Sequence, residues 1–144
     1  MKKLLKKQSL YYYKNGRKVE GTPYFVTGRN SGIYGDATAI TGDISNLYGD
    51  ISYIGGDVTN ISGCVTGIRG DVSNIMGEVS ETLYGDVSRL RGDISDLEGD
   101  ISGITGYVTG IYGNATGIFG NIDKCCIPES ERDSGLYISE LIAE

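Results

Sequence analysis

Aspartates recur at one regular position along this chain and serines or threonines at another, and we call these sets the acidic column and the hydroxyl column. Residues of these types at this spacing could do chemistry. Repeated carboxylates are ligands that Ca²⁺ prefers, but these acids lack EF-hand spacing. An acid next to glycine is also a common capping residue. We therefore expect a structural role, and we predict no metal site and no cofactor. The acidic column consists of Asp36, Asp43, Asp50, Asp57, Asp71, Asp86, Asp93 and Asp100.

The hydroxyl column places a serine or threonine two residues after each acid position, nearly unbroken from Ser31 to Thr116. It could form a glycan- or ice-binding face, but small hydroxyl groups also bond local backbone near turns. We predict the structural role because apolar and acidic columns flank it. In the Arg-Gly-Asp triplets at 69–71 and 91–93, the Gly-Asp pair recurs throughout the chain and only the arginine before it varies, so we assign the triplets no adhesive role.

Catalysis is not expected. The chain has no histidine to act as a base, and no serine or cysteine stands in a recognisable nucleophile setting. Cys64, Cys125 and Cys126 lack the paired spacing of a zinc site, and we expect reduced thiols. We predict that the protein is not an enzyme.

Both columns belong to a seven-residue repeat that starts with glycine. Glycine recurs at this interval from Gly21 to Gly120, with one eight-residue interval between Gly77 and Gly85. With glycine as position 1, the unit reads Gly-Asp-Ile/Val-Ser/Thr-x-Ile/Leu-x, as in GDISNLY. Fixed periods are typical of fibrous and solenoid proteins, so the elements that position both columns must be repetitive.

Positions 3 and 6 of the unit are apolar, and their spacing alternates between three and four residues as in a coiled-coil heptad. A single chain cannot bury this row unless it coils on itself. We interpret the row as an oligomer seam that consists of Ile44, Leu47, Ile51, Ile54, Val58, Ile61, Val72, Ile75, Val87, Leu90, Ile94, Leu97, Ile101 and Ile104.

The pattern predicts a fibrous repeat and leaves two architectures open, of which the first is a series of short helix-turn-helix units. A continuous helix is disfavoured because every unit contains glycine and a β-branched residue. In short helical turns, glycine would end one turn and aspartate would cap the next. The alternative is a β-solenoid or interwound β fibre, favoured by abundant Val, Ile, Thr and Tyr. A corner must then separate positions 3 and 6.

The chain divides into a basic N-terminal anchor arm (1–20), a heptapeptide-repeat shaft (21–126) and a C-terminal cap or docking tail (127–144). The arm has seven basic residues and one acid, a net charge of +6, so the total of −6 leaves −12 for the remainder. This asymmetry predicts docking on an acidic partner. Asn15-Gly16 predicts a hairpin turn. The predicted anchor residues are Lys2, Lys3, Lys6, Lys7, Arg17 and Lys18.

The tail, ending in SGLYISELIAE, is compatible with a short amphipathic helix. No apolar segment is long enough for a membrane span, and the lysine-rich start lacks the apolar stretch of a signal peptide. We expect neither a membrane nor a nucleic acid as partner.

The tandem GD[IV]Sx[IL]x units of residues 28–123 resemble fibre proteins of tailed bacteriophages, and they are similar in style to the stems of trimeric head fibres. The resemblance implies the first architecture, as a three-stranded supercoil of short helix-turn-helix units. It also implies a homotrimeric structural fibre or decoration protein of the virion, anchored by one terminus on a capsid or tail protein. Without a large distal domain, a short decoration or connector fibre is expected. The alternative is a single-chain β-solenoid that acts as a surface-binding module.

Overall fold

Each seven-residue unit contributes one short β-strand, which starts at position 6 and ends at position 2 of the next unit. The computed structural model describes residues 1–143. Its helical elements are the α-helix α1 (Glu129–Ser134) and the 3₁₀ helices Ile122–Cys125 and Ile138–Leu141. The strands are β1 (Leu10–Lys14), β2 (Arg17–Glu20), β3 (Val26–Thr27), β4 (Ile33–Asp36), β5 (Ile40–Asp43), β6 (Leu47–Asp50), β7 (Ile54–Asp57), β8 (Ile61–Cys64), β9 (Ile68–Asp71), β10 (Ile75–Val79), β11 (Leu83–Asp86), β12 (Leu90–Asp93), β13 (Leu97–Asp100), β14 (Ile104–Tyr107), β15 (Ile111–Asn114), β16 (Gly120–Asn121) and β17 (Leu136–Tyr137).

A β-turn spans the three-residue interval between positions 3 and 6. The N–H of Leu97 donates to the carbonyl of Ile94 at 3.1 Å, and the N–H of Ile104 donates to the carbonyl of Ile101 at 3.0 Å. This bond between residues i and i+3 is typical of a β-turn. The corner expected between the two apolar positions of a β repeat is confirmed.

Alternate units stack into two sheets, so two units complete one turn of a β-solenoid with about six turns. The stacked strands are parallel, and Ile33 has Gly49 as its Cα partner. That offset of 16 residues exceeds two repeat units by two. An even shift keeps every side chain on the same face of its strand, so apolar residues continue to point inward along the whole solenoid.

The apolar row lies inside this one chain. Ile94 and Ile101 have no exposed surface, and all fourteen residues of the predicted seam are buried. Their burial therefore needs no second chain. The homotrimer remains a prediction, and the apolar row no longer argues for it.

The predicted supercoil of helix-turn-helix units is wrong, and the chain adopts the β-solenoid alternative. Gly85 shows the reason, because its φ of +109° lies outside the helical region. Its N–H donates to the carbonyl of Gly67 in the preceding turn at 3.0 Å. Backbone groups are thus paired between turns instead of within a helix, and a chain that returns every two units encloses its own apolar row.

The irregular unit is absorbed without a change of fold. Strand β10 has five residues and Val79 is its last. The following turn is closed by the N–H of Leu83, which donates to the carbonyl of Ser80 at 3.0 Å. The partner offset grows to 17 residues at this point, with Ile75 opposite Gly92. The extra residue therefore lengthens one strand and leaves the inward positions aligned.

Both ends of the solenoid carry additional elements. Strands β1 and β2 form the predicted hairpin around Asn15-Gly16, and β1 also pairs in parallel with β4. Residues 10–20 are therefore part of the sheet, and only residues 1–9 extend from it. The predicted amphipathic helix of the tail is wrong, because Leu136–Tyr137 form β17 and Ile138–Leu141 form a 3₁₀ helix, with Ile138 buried in the core.

Candidate docking surface

The predicted anchor residues divide between two settings at the N-terminal end. Lys2, Lys3, Lys6 and Lys7 lie in the exposed segment that precedes β1, whereas Arg17 and Lys18 lie on β2. Strand β2 is the outer edge of its sheet. Charged side chains on such an edge discourage indiscriminate pairing with other strands. The structure thus brings all six cations to one end, with the four lysines outside the hairpin.

Few of these cations are neutralised within the chain. Lys18 Nζ lies 3.5 Å from Glu20 Oε1, and both side chains are half exposed or more. The other ion pair among residues 1–143 joins Arg91 to Asp123, far from this end. An exposed pair such as Lys18–Glu20 contributes little stability. The N-terminal end therefore retains a positive field that can attract an acidic surface.

Aromatic residues beside the cations form a cluster that sequence reasoning missed. Tyr12, Tyr24 and Phe25 contact one another edge to face, with ring centroids 5.1 to 6.4 Å apart. Lys14 Nζ lies 5.4 Å from the Tyr24 ring centroid, and Lys18 Nζ lies 4.2 Å from that of Tyr11. These contacts stiffen the hairpin. The run of three tyrosines signals an aromatic surface, but Tyr24 and Phe25 reach it only through the fold.

Two open hollows flank the start of β1. The first has a volume of about 340 Å³ and is lined by Ser9, Glu20 and Asn30 among others. The second, of about 330 Å³, is lined by Lys7, Lys18 and Tyr34 among others. Both are wide open to solvent, unlike the largely enclosed clefts of most small-molecule sites. They suit contact with another macromolecular surface better than capture of a small molecule.

The acid and hydroxyl columns form hydrogen-bond ladders along the shaft. The N–H of Ser88 donates to Asp86 Oδ1 at 2.9 Å, and Ser88 Oγ accepts the N–H of Asp71 from the preceding turn at 3.1 Å. The structural role predicted for the hydroxyl column is confirmed. The side chains hold β-turns and adjacent turns of the solenoid together.

The ladder also determines the charge state of its acids. The Ser88 hydroxyl and then its N–H stabilise the Asp86 carboxylate and hold its pKa below its usual value. The pKa is also lowered by the same kind of donors at Asp43, Asp57, Asp71 and Asp100. Among residues 1–143, no group of three or more His, Cys, Asp or Glu side chains is placed to hold a metal ion.

A local exception occurs at the eight-residue unit. Tyr48 Oη donates to Glu81 Oε1 at 2.8 Å. That hydrogen bond, with burial and nearby acids adding to it, raises the pKa of Tyr48 to about 12. Cys64 stands in the intervening strand at the position where most units have aspartate. The sequence signals both features only as departures from the repeat.

The two Arg-Gly-Asp triplets lie within strands β9 and β12 instead of on projecting loops. Arg91 donates to both carboxylate oxygens of Asp123 at 2.8 and 2.9 Å, and its neighbour Asp93 accepts the Ser95 N–H at 2.9 Å. These side chains are committed to the fold. The second triplet therefore has a structural role, because its side chains bond within the fold.

The C-terminal end is held by Arg132, which sequence reasoning also missed. Its Nη1 donates to the carbonyls of Tyr107 and Thr109 at 2.8 and 2.9 Å, and its guanidinium lies 4.6 Å from the Tyr107 ring centroid. The acids of α1, Glu129, Glu131 and Asp133, face solvent around it. Carboxylates thus outnumber the exposed Lys124 at this end of the solenoid, whereas the N-terminal end presents lysines.

The chain was compared with family models, curated proteins and solved structures. No family model, curated protein or solved structure matches the chain. Within residues 1–143, no helix is both long and apolar enough to cross a membrane.

Proposed function

We propose that this chain is a rigid, non-catalytic attachment module, a single-chain β-solenoid that docks on an acidic surface through its basic N-terminal end. The observation that carries the proposal is the separation of charge along a stiff axis. The first twenty residues have a net charge of +6 and the remainder has −12. The lysines extend beyond the folded shaft, so they can reach a surface before the acidic shaft is repelled by it.

The shaft supplies rigidity and distance. About six turns at the usual strand spacing of about 4.8 Å give a rod of roughly 30 Å. Backbone bonds and the Asp–hydroxyl ladders connect each turn to its neighbours, as in other solenoids. Such a rod separates an anchored end from a displayed end without needing catalytic groups along its length.

A virion is the setting that we favour for this module. The repeat resembles fibre stems of tailed bacteriophages, and a short rod anchored at one end suits a structural fibre or decoration protein on a capsid or tail protein. The proposed partner is thus an acidic patch of the particle. Mass spectrometry of purified particles from a phage that encodes the chain would detect it as a structural component. Its consistent absence from the particles would contradict the virion setting.

Binding to an immobilised acidic polypeptide tests the docking function directly. Polyglutamate is a suitable probe, with surface plasmon resonance as the readout. Replacing Lys2, Lys3, Lys6 and Lys7 by glutamine should reduce affinity at least tenfold and flatten its salt dependence. The control variant Lys124→Gln, at the opposite end, should bind as the parent does. Equal binding by both variants would refute the assignment of the lysines.

A further inference from the structure

The two ends of the solenoid carry opposite charges. At the N-terminal end, residues 1–7, the part of the anchor arm that lies outside the hairpin, expose four lysines. This part is called the arm below. At the C-terminal end, Glu129, Glu131 and Asp133 on α1 and Glu140 on the last 3₁₀ helix are all exposed. The distance between the ends, roughly 30 Å along the shaft, keeps these charges from neutralising one another within a compact fold. The chain is therefore electrostatically complementary to a second copy placed end to end.

Each end also carries exposed apolar side chains among its charged residues. In the arm, Leu4 and Leu5 stand between two lysine pairs, and they are 79% and 99% exposed. On the C-terminal end, a hollow of about 50 Å³ opens between the last strands and the closing 3₁₀ helices. Its lining includes Ile118, Phe119, Ile122, Cys125, Ile138 and Leu141. Phe119 is 81% exposed at the rim, and water contact with so much apolar surface is unfavourable.

We propose that the arm of one copy docks on the C-terminal end of a second copy. Leu4 or Leu5 covers the hollow and the Phe119 ring, while the lysines pair with the carboxylates of α1 and Glu140. The apolar contact supplies affinity and the charges supply orientation and rate of association. The inference rests on the proposed function, because it takes the arm as an attachment element and names a second copy as its partner.

Such a contact is heterologous, because two different surfaces meet. The copy whose hollow is filled still has a free arm, and the copy whose arm has docked still has a free hollow. Repeated contacts therefore extend the shaft head to tail, which would let a short solenoid build a longer fibre. A fold-back onto the same chain is excluded by reach, since the six residues from Leu4 to the start of β1 span at most about 20 Å, less than the roughly 30 Å of the shaft.

Disulfide trapping tests the geometry of the contact, because Cys125 already lines the hollow. The background is Cys64→Ser with Cys126→Asn, since asparagine tolerates the left-handed φ of +53° at that position. In this background, Leu4→Cys should give covalent dimers and longer species under mild oxidation. Asn60→Cys, exposed on the shaft, is the matched control and should remain monomeric at the same concentration. A Leu4→Cys product that is only an intramolecular monomer would overturn the inference.

Sedimentation velocity tests the energetics without new cysteines. The parent should form a concentration-dependent series of species at about 50 mM salt, and this association should weaken at least tenfold at about 500 mM salt. Leu4→Ser with Leu5→Ser should also weaken it at least tenfold, whereas Met76→Ser, an exposed apolar residue on the shaft, should not. A monomer at all concentrations, or a single salt-insensitive trimer, would overturn the inference.

A charge swap separates this inference from the proposed function. Lys6→Glu with Lys7→Glu should not self-associate, and Glu129→Lys with Glu131→Lys should not either. Their mixture should associate again, because the reversed arm meets the reversed end and the unaltered arm meets the unaltered end, so that the two variants alternate. If the parent binds polyglutamate yet never self-associates, the head-to-tail contact is refuted and the docking function stands. If it binds neither polyglutamate nor itself, both proposals fail.

Discussion

Replacing Gly85 by alanine should destabilise the solenoid far more than the same change at Gly117. Both residues have a left-handed backbone, with φ of +109° and +79°. A Cβ on Gly85 would lie 2.3 Å from Ser102 Oγ and 2.6 Å from Asp100 Oδ1, whereas nothing lies within 4 Å of a Cβ on Gly117. The pair therefore separates backbone strain from a clash with the next turn.

The expected magnitudes follow from these contacts. A left-handed alanine costs about 1–2 kcal/mol at either site. At Gly85, overpacking against the Ser102 hydroxyl and the Asp100 carboxylate adds about 1–3 kcal/mol. We expect losses of about 2–5 kcal/mol for Gly85→Ala and about 1–2 kcal/mol for Gly117→Ala. The larger loss is a substantial part of the roughly 5–15 kcal/mol that stabilises a typical domain.

Urea unfolding followed by far-UV circular dichroism measures both losses. A double variant, Gly85→Ala with Ser102→Ala, provides a further check because it removes the closest atom. It should recover part of the loss, which would appear as a coupling energy in a double-mutant cycle. Equal losses for the Gly85 and Gly117 variants, or no coupling with Ser102, would refute the close stacking of glycine on the Asp–hydroxyl turn.

Three further changes test the core, the ladders and the irregular unit. Ile94→Asp puts an unpaired charge into the core, and we expect a loss of at least about 4 kcal/mol in the free energy of unfolding, while exposed Met76→Asp has little effect. The urea melts are run at about 500 mM salt, where the head-to-tail contact is weakened, and their midpoint should not depend on protein concentration. A concentration-dependent midpoint at this salt would point to an interchain seam. Acid should destabilise the fold as the pH falls from about 5 to about 2.5, because the folded carboxyls have pKa values below the 3.8 of free aspartate and their stabilising bonds are lost on protonation. An unchanged urea midpoint over this range would contradict the ladders. The acids whose pKa is lowered are Asp43, Asp57, Asp71, Asp86 and Asp100. Glu81→Ala should return the pKa of Tyr48 from about 12 towards 10.0, as followed by NMR of labelled tyrosine rings, and a pKa that stays near 12 would exclude the Glu81 bond as its cause.

Part of the fold was predictable because it depends on residues close in sequence. Asn15-Gly16 predicted the β1–β2 hairpin, since both residues tolerate the left-handed backbone that the turn requires. The corner between Ile94 and Leu97 was predictable for a β repeat, because alternating strand positions cannot place two inward residues three apart. The hydroxyl column was assigned to turns on the same local grounds.

The candidate docking surface was predictable in charge but not in shape. The lysine-rich start and its excess of positive charge are visible in the sequence. The aromatic contacts of Tyr12 with Tyr24 and Phe25 are not, because two separate segments must meet at the solenoid end. The same holds for Arg132, whose carbonyl partners lie more than twenty residues earlier in the chain. Such contacts depend on how the last turns stack.

The sequence by itself determined the period, the inward positions and the places where glycine interrupts regular backbone. It did not determine whether the apolar row would meet other chains or its own next turn, because a heptad satisfies both arrangements locally. Tertiary structure decided this through pairing at long range, such as Ile33 with Gly49. Gly85 cannot tolerate a Cβ beside Ser102, and its N–H is paired with Gly67. Close stacking of successive turns thus turns the predicted interchain seam into the interior of one solenoid.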